Sequence, residues 1–167
     1  MRRYLMLVAL VVASLPAAVQ AEHANINLRV FRVDAEGVKA KGEAAAVADE
    51  EPPAGGVIPR PVFQVKRGEP LVLQFILTNA YPHGELKDVT IRYYVVRAER
   101  LGQKKVPDLA AGTIAQGQFQ INLKPKARVG ARVAFTIPDS GVYLLRVETA
   151  NTRSDHEHFS AIDVQVE

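Results

Sequence analysis

Short runs in which apolar and polar residues alternate with period two, separated by turn-forming clusters, recur from Asn25 to the end of the chain. A strand places successive side chains on opposite faces, so such runs describe half-buried strands. No window outside the amino-terminal segment keeps a helical period over three turns. The chain is therefore expected to be all-β.

The strands read out in order. Asn25 to Val33 alternates through Ile26, Leu28 and Val30, and the adjacent pair Val30-Phe31 breaks the pattern, which predicts a bulge or a change of sheet. Val62 to Lys66 is followed by the turn Arg67-Gly68-Glu69-Pro70 and then by Leu71 to Asn79, whose inward face is predicted to be Leu71, Leu73, Phe75 and Leu77. Val89 to Arg97 offers Val89, Ile91, Tyr93 and Val95 to one side and Thr90, Arg92 and Tyr94 to the other. Gln118 to Lys124, Arg132 to Ile137, Val142 to Thr149 and Phe159 to Val166 complete the set, with Leu101 to Gln116 read mainly as a connection that has room for a short edge strand. Seven to eight short strands at this spacing predict a Greek-key β-sandwich.

Two segments fall outside that pattern. Arg2 and Arg3, the apolar run Leu5 to Ala13, Pro16 and the small-residue site Val19-Gln20-Ala21 have the order of a secretory signal, with cleavage expected after Ala21. Residues 1–21 are thus assigned to a signal peptide and 22–167 to a single domain, exported to a periplasm or the extracellular space. The apolar run is shorter than the ~20 residues that span a bilayer, so no membrane span is expected after cleavage. From about 34 to 61 the composition turns to Ala, Gly, Glu and Pro, ending in Glu51-Pro52-Pro53-Ala54-Gly55-Gly56. So little apolar surface would not offset the entropy of ordering, and a mobile acidic insertion is expected.

Composition excludes several functions. The formal charge of +3 counts Arg2 and Arg3, so the chain beyond Ala21 is close to neutral, and nucleic acid is not an expected partner. The chain is cysteine-free, which removes disulfides, a lipidated cysteine and a thiol nucleophile. There is no Gly-x-Ser-x-Gly elbow, His-Glu-x-x-His helix or glycine-rich phosphate loop, so no enzyme is expected.

Asp139-Ser140-Gly141-Val142-Tyr143 resembles the Asp-x-Gly-x-Tyr corner of immunoglobulin-like domains. The resemblance covers roughly Val62 to Glu167. It implies an immunoglobulin-like sandwich in which the Tyr143 hydroxyl satisfies a backbone group at the bend, and it implies no activity. Leu145 stands where antibody domains carry their second cysteine.

In such a winding the loops carrying His83 and His156-Glu157-His158 share one pole, and His23 begins the first strand beside them. Imidazoles so gathered would suit Cu(II), Zn(II) or Ni(II), with Asp155 or Glu157 completing the shell. Periplasmic copper-resistance carriers are similar in having an early and a late histidine, but their methionine-rich stretch has no counterpart here, since Met1 and Met6 leave with the signal. Two readings follow. One is an exported metal-binding domain using His83, His156, His158 and His23. The other is an envelope or extracellular module that binds protein or glycan without metal, with Tyr81 and Phe159 as candidate contact residues.

Overall fold

The computed structural model describes residues 24–34, 40–48, 60–81, 83–151 and 154–167. Those residues form strands and loops with no helix. In chain order the strands are β1 (Ala24–Val33), β2 (Ala40–Ala48), β3 (Val62–Val65), β4 (Leu71–Asn79), β5 (Leu86–Ala98), β6 (Thr113–Leu123), β7 (Arg128–Phe135), β8 (Gly141–Asn151) and β9 (Ser154–Val166). They build a four-stranded sheet in the order β2-β1-β4-β7 and a five-stranded sheet in the order β3-β9-β8-β5-β6. Every neighbouring pair is antiparallel except β3 with β9.

The core lies between the sheets and follows from the alternation. Ile26, Leu28 and Val30 of β1 and Leu71, Leu73, Phe75 and Leu77 of β4 are buried from one side. Val89, Ile91 and Val95 of β5 meet them from the other, with Leu145 and Ile162 beside them on the neighbouring strands. A fully buried side chain of this size contributes about 1.5–3 kcal/mol, so these rows hold the two sheets face to face without any disulfide. The Val30-Phe31 irregularity is a register shift between β1 and β2 at Phe31/Val33.

The corner is formed as its residues suggest. Tyr143 is buried and its hydroxyl donates to the Asp139 carbonyl at 3.1 Å. Burial pushes the phenol's pKa above its ordinary value of 10.0, the Asp139 charge adds to the rise, and Arg97 opposes it. At the other bend Glu69 caps the turn. Its carboxylate accepts from the Lys66 backbone N–H at 2.8 Å and from Arg32 Nε at 3.1 Å, and these bonds hold its pKa below 4.5 although burial opposes them.

Two expectations need correction. The Ala40–Ala48 run, read from its composition as part of an irregular insertion, is strand β2, and it raises the strand count among the described residues to nine. Backbone pairing with β1 needs no large side chain, so alanines at a sheet edge can carry it. The flanking residues 35–39 and 49–59 of that insertion, and the signal segment 1–21, lie outside the described residues. The second concerns the segment before Gln118. Strand β6 begins at Thr113, earlier than its alternation suggests, because Gly117 interrupts the apolar face. A Cβ at Gly117 would lie 2.3 Å from the Tyr93 hydroxyl, so Tyr93 occupies the space a side chain there would need.

Candidate functional site

The winding brings three chain segments to one pole. Ala24 pairs with Asn79, so the start of β1 meets the end of β4, and Val89 pairs with Asn151, so the start of β5 meets the end of β8. The β4–β5 loop with His83 and the β8–β9 turn are therefore neighbours in the topology. His83 is exposed in that loop. His158 is not in a loop: it is a half-buried residue of β9 opposite buried Thr149, on the side of the strand that faces the core. His156 belongs to β9 by its backbone, but its side chain lies outside the described residues, as does His23. Among the described residues no group of three or more His, Asp or Glu is arranged to hold a metal ion.

A more developed surface lies on the outer face of the five-stranded sheet, where the side chains of β5 and β8 that miss the core emerge. Half of this face is roofed. The β5–β6 connection folds back so that Val106 packs on a second apolar cluster of Tyr94, Val96, Leu144 and Ala161. The roof is fastened by Asp163, which is 1% exposed. Its Oδ2 accepts from the Gly102 N–H at 2.7 Å, its Oδ1 lies 3.2 Å from Arg60 Nη2, and the same Arg60 nitrogen donates to the Gln103 carbonyl at 2.7 Å. A buried carboxylate needs both a counter-charge and hydrogen bonds, and here Arg60, from the segment before β3, supplies the first and the Gly102 N–H of the roof the second.

The other half is open. The strand register sets Gln118, Arg92, Glu148 and Phe159 side by side across four strands, a row roughly 14 Å long at ~4.8 Å per strand. Glu148, with a side chain only 16% exposed, is the hub. It accepts from Arg146 Nε at 2.8 Å and from the Tyr94 hydroxyl at 3.2 Å, and Arg92 Nη1 lies 3.9 Å away. Arg92 keeps half its side chain in solvent and donates through Nε to Gln118 Oε1 at 3.3 Å. Phe159 is 54% exposed, with the Arg146 guanidinium 3.9 Å from its ring centroid. Beside the row, Arg92, Tyr94, Leu109, Gln116, Gly117 and Gln118 line a cleft of about 440 Å³. On β6 the outward residues Gln116, Gln118, Gln120 and Asn122 are all exposed, an amide ladder on an edge strand.

Of the two aromatic residues singled out in the sequence, Phe159 stands on this surface, whereas Tyr81 is half-buried against the core. The charged row itself is invisible without register. Arg92 and Glu148 lie far apart along the chain, and only the outward parity of Thr90, Arg92 and Tyr94 hints at it.

No known family matches the chain, and no curated protein does. Among solved structures the chain is similar to the soluble domain of PmoD from Methylocystis sp. ATCC 49242 (Rockwell), at 13% identity and a TM-score of 0.46, covering 85% of this chain and 90% of that one. It is also similar to a family 123 glycoside hydrolase from Clostridium perfringens, at 10% identity and a TM-score of 0.43, over 68% of this chain. It spans only 23% of that hydrolase. A chitin binding domain from Burkholderia pseudomallei is 14% identical with a TM-score of 0.41, covering 62% of this chain and 56% of that one. At this level of identity, ligand and activity have to be argued from the chain's own residues. No helix among the described residues is long and apolar enough to cross a membrane.

Proposed function

We propose that this chain is an exported, non-enzymatic interaction module that binds glycan on the open half of the outer face of its five-stranded sheet. Export rests on the signal-like order of residues 1–21. The reading takes the winding as an immunoglobulin-like Greek key, supported by the Tyr143 corner.

The observation that carries the glycan reading is the row Gln118, Arg92, Glu148 and Phe159 with its adjoining cleft. A sugar presents a face of C–H groups and a rim of hydroxyls that both donate and accept. An exposed aromatic ring suits the first. A guanidinium, a carboxylate and primary amides suit the second, because they offer donors and acceptors in fixed planar geometry. The network that ties Arg146 and Arg92 to Glu148 orders these groups before a ligand arrives, which lowers the entropy lost on binding. The roof over the neighbouring cluster keeps apolar surface out of competition for solvent or partners.

Sedimentation with insoluble chitin and with peptidoglycan sacculi tests this directly. Binding to at least one of them is expected, weakened about tenfold by Phe159→Ala and similarly by Arg92→Ala, each a loss of roughly 1.4 kcal/mol. Retention of full binding by both variants would reject the surface, and absence of binding to any glycan would reject the reading.

A second reading, a transition-metal site of His83, His156, His158 and His23, is favoured by one observation, the shared pole of the β1 start, the β4–β5 loop and the β8–β9 turn. Cu(II), Zn(II) or Ni(II) would be its cofactor. Equilibrium dialysis against each ion should then show stoichiometric uptake that the double change His156→Ala and His158→Ala abolishes.

A further inference from the structure

We infer that the outer face of the four-stranded sheet is a second binding surface, one for an acidic polysaccharide. The inference goes beyond the glycan reading above, because it concerns the opposite side of the sandwich and a different ligand chemistry.

Three rows of side chains face outward there. Arg29, Gln74 and Arg132 form the first, Asn27, Ile76 and Gly130 the second, and Asn25, Thr78 and Arg128 the third. Arg29, Arg128 and Arg132 are exposed, and none has an ion-pair partner among the described residues. Arg132 Nε donates to Gln74 Oε1 at 3.0 Å, which orients the guanidinium without neutralising it. Strands β1, β4 and β7 contain no aspartate or glutamate at all. The edge strand β2 adds one lysine and one glutamate, Lys41 and Glu43, so the charge of this face comes from these three arginines, and a face carrying three cations over three carboxylate-free strands is complementary to an anionic partner.

The shape supports a chain-like ligand. Gly130 places no side chain between the two arginines of β7, and a Cβ there would lie 2.8 Å from the Phe75 carbonyl oxygen, so a larger residue does not fit without a shift. Gln74, Ile76, Gly130 and Arg132 line the resulting depression of about 240 Å³. Arg128 and Arg132 are four residues apart on one strand, roughly 13 Å, and Arg29 is two strands from Arg132, roughly 10 Å. One small anion cannot engage all three. A linear polymer with a carboxylate on successive sugar units can, each guanidinium taking a carboxylate with two parallel hydrogen bonds. Between the arginines stand Gln74, Ile76, Asn27 and Thr78, with no aromatic ring on which a nucleobase could stack.

The test titrates oligogalacturonate into the full chain at low and at physiological salt, with a neutral glucan oligosaccharide of equal length as control. Binding that weakens with salt and is absent for the neutral glucan is expected. The triple variant Arg29→Gln, Arg128→Gln and Arg132→Gln should bind about tenfold or more weakly, and Arg→Lys at the same positions should restore part of the affinity. All three positions are exposed, and a thermal melt superimposable on the wild type's confirms folding. If the triple variant destabilises the fold, each single Arg→Gln variant is expected to weaken binding about twofold or threefold. Phe159→Ala, on the opposite face, should leave this binding unchanged, so failure here and failure of the chitin or peptidoglycan result are separable. Unchanged affinity in the triple variant, or equal binding of the neutral glucan, would overturn the inference. Tighter binding of single-stranded DNA of matched charge would overturn it too.

Discussion

The two outer faces of the sandwich use arginine in opposite ways. On the five-stranded sheet, Arg146 and Arg92 converge on Glu148, and Asp163 engages Arg60 beneath a folded connection. On the four-stranded sheet, Arg29, Arg128 and Arg132 stand on the three strands β1, β4 and β7, none of which contains a carboxylate. On the proposed reading, the first arrangement is a fixed template in which geometry would discriminate among ligands, and the second a field whose grip would depend on ionic strength. Both sit on a common core, so substitutions in either face test the contrast separately.

The largest effect should come from removing the fastening of the roof. Asp163→Ala leaves Arg60 without its counter-charge and frees the Gly102 end of the connection. A loss of about 3 kcal/mol in urea unfolding is expected, together with dye binding to the uncovered Tyr94 and Leu144 cluster. A loss under ~0.5 kcal/mol would show that the roof is held by packing alone.

Next is Gly130→Val, which drives a side chain against the Phe75 carbonyl and fills the gap between Arg128 and Arg132. It should cost about 1–3 kcal/mol and weaken oligogalacturonate binding while sparing the glycan row. Glu148→Gln should cost less, about 1–2 kcal/mol, because its partners are charged but partly solvated. It would turn the five-stranded face into one like its opposite, and glycan binding there should become salt-sensitive. If salt dependence does not change, Glu148 is no hub.

Much of this contrast could not be read along the chain, for physical reasons. The strands that bury one face were legible: Leu71, Leu73, Phe75 and Leu77 were expected inward and are buried. The common pole of the β4–β5 loop and the β8–β9 turn was legible too, because Leu101 to Gln116 is mostly connection and does not reverse the later strands. Strand β2 was hidden because its stability comes from backbone pairing that composition does not report. His158 looked like a loop residue because Asp155 to His158 is polar, yet the hairpin continues through it. The Arg92, Glu148 and Arg146 network depends on the register of β5 against β8. Asp163 looked like an ordinary outward residue of a final strand because the chain that buries it arrives from elsewhere.

The smallest effects concern the shared frame. Below the ordinary carboxylate value of 4.5, Glu69 stays ionised longer in the folded chain than in the unfolded one. Its stabilisation is complete above that value and is lost as pH falls through the lower folded pKa, so Glu69→Gln should flatten the acid limb of the stability profile. Tyr143 works at the other end. Its raised pKa gives stability that is full below 10.0 and is lost as pH rises through the folded value, so Tyr143→Phe should flatten the alkaline limb while costing about 1 kcal/mol at neutral pH. Neither change should move binding on either face.

The most direct test of the glycan surface is a backbone amide NMR titration of the full chain with chitin oligosaccharide and soluble peptidoglycan fragments. Shift changes concentrated at Gln118, Arg92, Glu148 and Phe159, and lost in Phe159→Ala, are the predicted result. Shifts confined to Arg29, Gln74 and Arg132, or to the pole that carries His83, would contradict it.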